Sequence, residues 1–247
     1  MRGSLRATAL AAVLVGVGVF TAAWSVIWLT RGSYVMALLV LGVAIWGFGF
    51  AVYFLVTTHG APRPRAESGA AGTVLRPGKF VDTVFVVSTA AITVAATLYL
   101  VFSRFGMVDY VPAGVMRVAV PAGCAALVLF GVPTLYRMMK HRGGAHLRLD
   151  PNGFEVWNGQ WGSFRRGAWE DVKQIQDHPP RGAKPFNDVI VFVLPKGPSA
   201  MLVSDTVTGN GRALQDWVQF YWHHPECRDE LVDGRGLRRL GQMSSPD

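Results

Sequence analysis

The chain has 247 residues, of which 51% are hydrophobic and only 16% charged, an average too apolar for an ordinary globular domain. Its net charge of +8 sits in the first 142 residues, which carry 12 Lys and Arg against 3 Asp and Glu; the remainder carries 12 against 13. A nucleic-acid-binding protein keeps its basic surface on its folded soluble part, so this split argues against nucleic acid as a partner and for a membrane anchor followed by a near-neutral module.

Four stretches reach the roughly 20 mostly apolar residues that a hydrocarbon core requires: about 7–29, 34–56, 81–102 and 118–136. Arg2 and Arg6 ahead of the first also describe a signal peptide. The apolar run continues through Trp24, Ile27, Trp28 and Leu29, however, longer than such a segment needs, and reads as a retained helix. With the N-terminus inside, Arg2, Arg6, Arg63, Arg65, Arg76, Lys79, Arg137, Lys140 and Arg142 fall in the cytoplasm, and only Arg31, Arg104 and Arg117 fall outside. Positive charges in short loops follow that bias, so both termini are expected on the cytoplasmic side of the cell's inner membrane.

Between spans two and three, residues 59–79 (HGAPRPRAESGAAGTVLRPGK) show no apolar period and read as a mobile cytoplasmic loop facing lipid. Within the spans no ionisable residue is central; Asp82 opens the third at the inner interface. Thr89, Thr93 and Thr97 share one face of the third, and Ala119 with Gly123 and Ala122 with Ala126 give the fourth small-xxx-small spacing. Close helix packing with hydroxyls bonded to carbonyls is the plain reading, and a small transporter or channel lined by the threonines is its rival. Pro121 and Pro133 should kink the fourth span. Residues 1–142 therefore form the transmembrane region. Cys124 inside it and Cys227 beyond it lie in different phases and cannot pair.

From about residue 145 long apolar runs give way to short strands. His146 to Leu149 alternates, Asp150-Pro151-Asn152-Gly153 supplies turn chemistry, and Phe154 to Trp157 alternates again, a hairpin. A second pair is expected at Gln160 to Phe164 and Trp169 to Gln176, with Arg165-Arg166-Gly167 between them. Asp188 to Leu194 and Ala200 to Val203 come next, around Lys196-Gly197-Pro198. Thr208-Gly209-Asn210 then caps a helix with Leu214, Trp217, Val218, Tyr221 and Trp222 on one stripe, and Pro225 ends it. The pattern predicts an α+β module over 145–231, a small antiparallel barrel or bent sandwich capped by one helix, with 232–247 a polar tail.

Enzyme signatures are lacking, and the chain reads as a non-enzyme without metal or cofactor. His223, His224 and Cys227 have metal-binding chemistry, but adjacent helical histidines diverge by about 100° and no second group completes a ligand set. Asp229, Glu230 and Asp233 face neither a base nor a nucleophile and read as exposed charge. Serine-hydrolase, phosphate-loop and dinucleotide spacings are missing.

The succession LRLDPNGFEVWNG, AWEDVKQI, DVIVFVLPKG and WVQFYWHHPECRDEL resembles the bacterial pleckstrin-homology-like domains found behind transmembrane helices in actinobacterial membrane proteins. That resemblance covers residues 145–231 and implies packing roles for Trp169, Asp171 and Val172. It implies a binding or scaffolding module, here an accessory subunit of a membrane, envelope or lipid-handling complex. Trp157, Trp161 and Phe186 are the candidate protein-partner residues. Arg148, Arg165 and Arg166, with Lys173, are the candidate headgroup pocket. Arg63, Arg65, Arg76, Lys79, Arg137, Lys140 and Arg142 are expected to attract anionic lipid of the bilayer's inner leaflet, each worth about 1 kcal/mol near the surface.

Overall fold

A computed structural model of the chain describes residues 2–59, 64–109, 112–159, 162–178, 188–204 and 207–244, the side chains of 2–7, 58 and 59 excepted. Its first half holds α1 (Arg2–Thr30), α2 (Tyr34–His59), α3 (Lys79–Arg104) and α4 (Met116–Lys140). All four are long and apolar enough to cross a membrane, the architecture of a multi-pass membrane protein. The chain divides into two compact units. Residues 5–55 and 83–139 form a helical unit, and the first four residues, 56–82 and 140–247 form a second, the module.

Small residues let the helices of the first unit approach one another. A Cβ at Gly47 would lie 3.0 Å from the Leu14 carbonyl oxygen, and one at Gly131 would collide with the Thr93 hydroxyl. The Ser25 hydroxyl donates to the Ala37 carbonyl across α1 and α2 at 2.7 Å. Thr89, Thr93 and Thr97 donate to the carbonyls of Phe85, Thr89 and Thr93 at 2.8, 2.7 and 2.8 Å. Those hydroxyls are spent inside α3, as the packing reading expects. The fourth span departs from its expected seam: Gly123 has open space where a side chain would stand, and Ala119, Ala122 and Ala126 are not buried. Contact is made a turn or two later, where Gly131 meets Thr93.

The module is built from two separated pieces of chain. Residues 59–79, expected to be a mobile loop, contain a hairpin of β1 (Arg65–Gly69) and β2 (Gly72–Arg76). β2 then pairs with β3 (Ala145–Asp150), placing Leu75 opposite Leu147 and burying it to 1% exposure. β4 (Gly153–Asn158) and β5 (Ser163–Ala168) complete a five-stranded antiparallel meander. The chain thus leaves this sheet after β2, runs through α3 and α4, and returns to it at β3. A second sheet holds β6 (Gln174–Gln176), β7 (Val189–Val193) and β8 (Ala200–Val203) in that order. The core between them gathers Leu75, Leu147, Phe154, Trp169, Phe192 and Trp217.

The expected turn at Arg165-Arg166-Gly167 is instead the middle of β5. Phe154 of β4 faces Gly167 with its ring 3.1 Å from where a Cβ would stand, so glycine serves here to admit an aromatic side chain and not to bend the chain. The bend falls later, in the 3₁₀ turn Trp169–Asp171. Trp169 and Val172 are buried, the packing role their motif implies, whereas Asp171 is exposed.

The capping helix α5 (Gly211–His223) starts where expected, the Asn210 side chain accepting from the Ala213 amide at 3.0 Å. Residues 232–244 are not the polar tail expected of them. α6 (Glu230–Asp233) ends on Gly234 at φ +82°, and α7 (Arg235–Ser244) folds back with Leu240 in the core. Trp217 Nε1 donates to the Gly236 carbonyl at 2.8 Å, and Arg239 holds both oxygens of Glu230 at 2.9 and 2.7 Å.

Candidate functional site

Strand alternation sorts the meander into two faces. Leu75, Leu147, Leu149 and Val156 point into the core, so Val74 and Arg76 on β2, His146 and Arg148 on β3, and Glu155 and Trp157 on β4 point to the other side. The segment after α4 is fixed across that second face. The His141 ring stacks on Trp157 and on Phe164, each at 4.7 Å between centroids. Trp157 Nε1 donates to the Gly143 carbonyl at 2.9 Å, and the Gly159 amide donates to the Gly144 carbonyl at 2.7 Å. Arg142 adopts φ +56° and Gly143 φ +144°, and a Cβ at Gly143 would collide with the Asp82 carboxylate. The crossing is therefore tight and locally strained.

Beneath it lies a cavity of about 230 Å³ whose charged lining is Arg76, Lys140, Arg142 and Arg148 against the single carboxylate of Glu155, with His141 and His146 completing the polar wall. Arg76 donates through Nη1 to the Arg142 carbonyl at 3.1 Å, and Arg148 through Nε to the Ala71 carbonyl at 2.7 Å. Arg76 is thereby positioned by a backbone oxygen that does not cancel its charge, whereas Arg148 also lies 3.6 Å from the Asp150 carboxylate. The Lys140 and Arg142 side chains are not buried. His146, 4% exposed, faces Glu155 with Nε2 2.9 Å from Oε1. Burial is the main cause pushing this imidazole below its ordinary pKa, with Arg76 and His141 adding to it and Glu155 opposing. Two buried polar atoms of this lining, Arg76 Nε and His146 Nδ1, have no hydrogen-bond partner.

The structure thus redistributes the residues singled out from sequence. Arg148 lines the cavity, but Arg165, which reaches the Pro198 and Phe164 carbonyls, Arg166 on β5 and Lys173, exposed before β6, do not. Arg76, Lys140 and Arg142, expected only as a diffuse basic collar, converge in it. Arg65 is paired with Asp82 at 2.9 Å, Lys79 opens α3, and Arg137 is exposed on α4. Trp157, expected as an exposed docking residue, is fully buried under the crossing segment, which corrects its assignment as a partner contact. Trp161, Phe186 and Arg63 lie outside the described residues. The sequence does not single out His146, because a lone histidine in an alternating strand carries no signal by itself. The period-two alternation of Arg76, His146, Arg148 and Glu155 was available, but only once β2 is known to pair with β3.

Among the described residues no group of three or more His, Cys, Asp and Glu is placed to hold a metal ion. His224 Nδ1 lies 3.0 Å from Glu226 Oε1, and Glu230 belongs to the α7 clamp and is not free charge. No family model, curated protein or solved structure matches the chain.

Proposed function

We propose that this chain is a multi-pass protein of the cell's inner membrane whose cytoplasmic module is a pleckstrin-homology-like binding unit, recognising the phosphate of an anionic lipid headgroup. In this reading it serves a membrane or envelope complex as a scaffold or accessory subunit and not as an enzyme. The observation that carries it is the convergence of Arg76, Lys140, Arg142 and Arg148 on one cavity, opposed by Glu155 in its wall and by Asp150 beside Arg148. Such an excess of cations, two of them oriented by backbone carbonyls, suits an oxyanion better than an apolar or cationic ligand. Lys140 is also the last residue of α4. If α4 spans the bilayer, that end lies at headgroup depth, so the ligand need not leave the membrane to be bound.

Two antiparallel sheets followed by an amphipathic helix support the pleckstrin-homology-like assignment at the level of architecture. The positive residues before α3 and after α4 support the cytoplasmic placement. The protein-partner role now needs surface other than Trp157.

Lipid retention tests the headgroup reading. The full chain is purified from nanodiscs of mixed phosphatidylglycerol and phosphatidylcholine, and its bound lipid is counted by native mass spectrometry. The double variant Arg76→Gln/Arg148→Gln should retain roughly tenfold less phosphatidylglycerol than wild type, as expected for loss of two charge-assisted contacts. Arg165→Gln/Arg166→Gln, with the same loss of charge outside the cavity, should retain as much as wild type. Equal loss in both variants would reduce the effect to diffuse attraction and sink the site.

A further inference from the structure

Resting on the headgroup reading, we propose that the cavity takes up its oxyanion together with one proton from solvent, and that His146 receives it at Nδ1. The geometry starts from the Glu155 contact. A carboxylate only accepts, so the ring nitrogen facing it at 2.9 Å, Nε2, carries the hydrogen. In the neutral ring Nδ1 is then a bare lone pair, buried and without a partner. His146 lines the cation-rich cavity, and its neutral ring, with a closed-off lone pair at Nδ1, offers an arriving anion no positive charge. Adding a proton at Nδ1 makes the ring a cation in the cavity lining and so favours the anion.

The charges around the ring decide when that step occurs. Arg76 faces His146 from β2, Arg148 lies on its own strand, Lys140 ends α4, and His141 and Arg142 come from the crossing segment. Glu155 faces it from β4, and Arg166 stands opposite Glu155 on β5. Without a ligand, burial foremost, then Arg76 and His141, favours the neutral ring, and Glu155 opposes them. A bound oxyanion offsets the cations and reverses the balance, so anion and proton each raise the other's affinity. Headgroup capture would then strengthen as the pH falls through the neutral range.

Calorimetry on the full chain in phosphatidylcholine nanodiscs tests this, with sulfate as a probe whose own charge does not change near neutrality. Titrations in two buffers of different ionisation enthalpy give the protons taken up per sulfate. Near neutral pH wild type should take up a measurable fraction of a proton, at most one, and its affinity should rise as pH falls, by no more than about tenfold per unit. His146→Gln, which keeps a donor for Glu155 but cannot titrate, should bind with no uptake and a flat profile. Displacement of the bound sulfate by phosphatidylglycerol in the disc, and not by added soluble phosphate, would identify the membrane as the natural source; the reverse would identify a soluble phosphate compound. Sulfate binding without proton uptake in wild type, or uptake that persists in His146→Gln, overturns proton coupling and leaves the headgroup reading intact. Failure to bind either sulfate or anionic lipid removes the headgroup reading and this proposal with it. Should His146→Gln not fold, the wild-type proton count and the shift of the His146 ring resonances on adding sulfate decide the matter.

Discussion

At the scale of single residues, Asp82 does more than its position at the head of a span suggests. One carboxylate oxygen accepts from the Gly144 amide at 2.5 Å and the other from Arg65 at 2.9 Å, so one side chain ties the hairpin to the segment that roofs the cavity. With Asp82 only 12% exposed, the Gly144 amide would lose its acceptor on truncation, whereas Arg65, 32% exposed, could be solvated. Asp82→Ala should therefore destabilise the module by roughly 1–3 kcal/mol. Asp82→Asn, which keeps an oxygen for Gly144 and loses the ion pair, should cost no more than about 1 kcal/mol. Denaturant unfolding followed by tryptophan fluorescence in detergent measures both, and equal costs would show that the ion pair, not the amide contact, supplies the hold. Trp157 teaches the complementary lesson. Its indole is as suited to a docking surface as to a core, and only the segment stacked over it decides between them.

At the scale of elements, α7 is short, and its attachment depends on charge as well as on Leu240. The Arg239 guanidinium is the main cause holding the Glu230 carboxyl below the ordinary glutamate range, with the Tyr221 hydroxyl, 2.9 Å away, assisting. The native state thus binds this proton less readily than the unfolded chain. The stabilisation is complete above the unfolded value of about 4.3 and is lost as pH falls through the lower folded value. Amide exchange in 235–244 should consequently be constant from neutrality to about pH 5, once corrected for intrinsic rates, and should lose roughly tenfold protection below about pH 4. Glu230→Gln should lower protection already at neutrality and abolish the acid step; an unchanged acid step would assign it to another carboxylate. This element was illegible in the sequence because Arg235-Gly-Leu-Arg-Arg-Leu reads as solvated charge unless Glu230 and the Trp217 indole are known to meet it. The β3–β4 hairpin and α5 were legible, since Asp150-Pro-Asn-Gly and the Leu214, Trp217, Val218, Tyr221 stripe each carry their own local signal. β5 is hidden in the sequence because Gly167 has the look of a turn residue and is used for a ring contact.

At the scale of the whole molecule, the informative error concerns residues 59–79. Their glycines, alanines and arginines carry no apolar period, because the hairpin contributes one edge of the sheet and buries few side chains, Leu75 and Thr73 foremost. Pairing across the intervening pair of helices has no signature in a linear pattern, yet it fixes a topological fact: β2 and β3 share a sheet, so α3 and α4 must together return the chain to the side it left. It also makes the module dependent on a distant segment. Without the hairpin, β3 loses one of its two ladder partners and becomes an edge, the Leu231 carbonyl loses the Thr73 hydroxyl at 2.6 Å, and the core loses Leu75. Burial of one leucine is worth about 1.5–3 kcal/mol, a large share of what a module of this size can spare. A fragment of residues 143–244 should accordingly show a broad, non-cooperative thermal transition and bind a hydrophobic dye. The same fragment preceded by 64–78 through a short Gly/Ser linker in place of the two helices should melt cooperatively, because β2 and β3 are antiparallel neighbours that a tight connection can join. Circular dichroism and dye binding compare the two directly. If the shorter fragment melted as sharply as the linked one, the hairpin would be an accessory to the module and not part of its fold, and the cavity it walls with Arg76 would have to be assembled after folding.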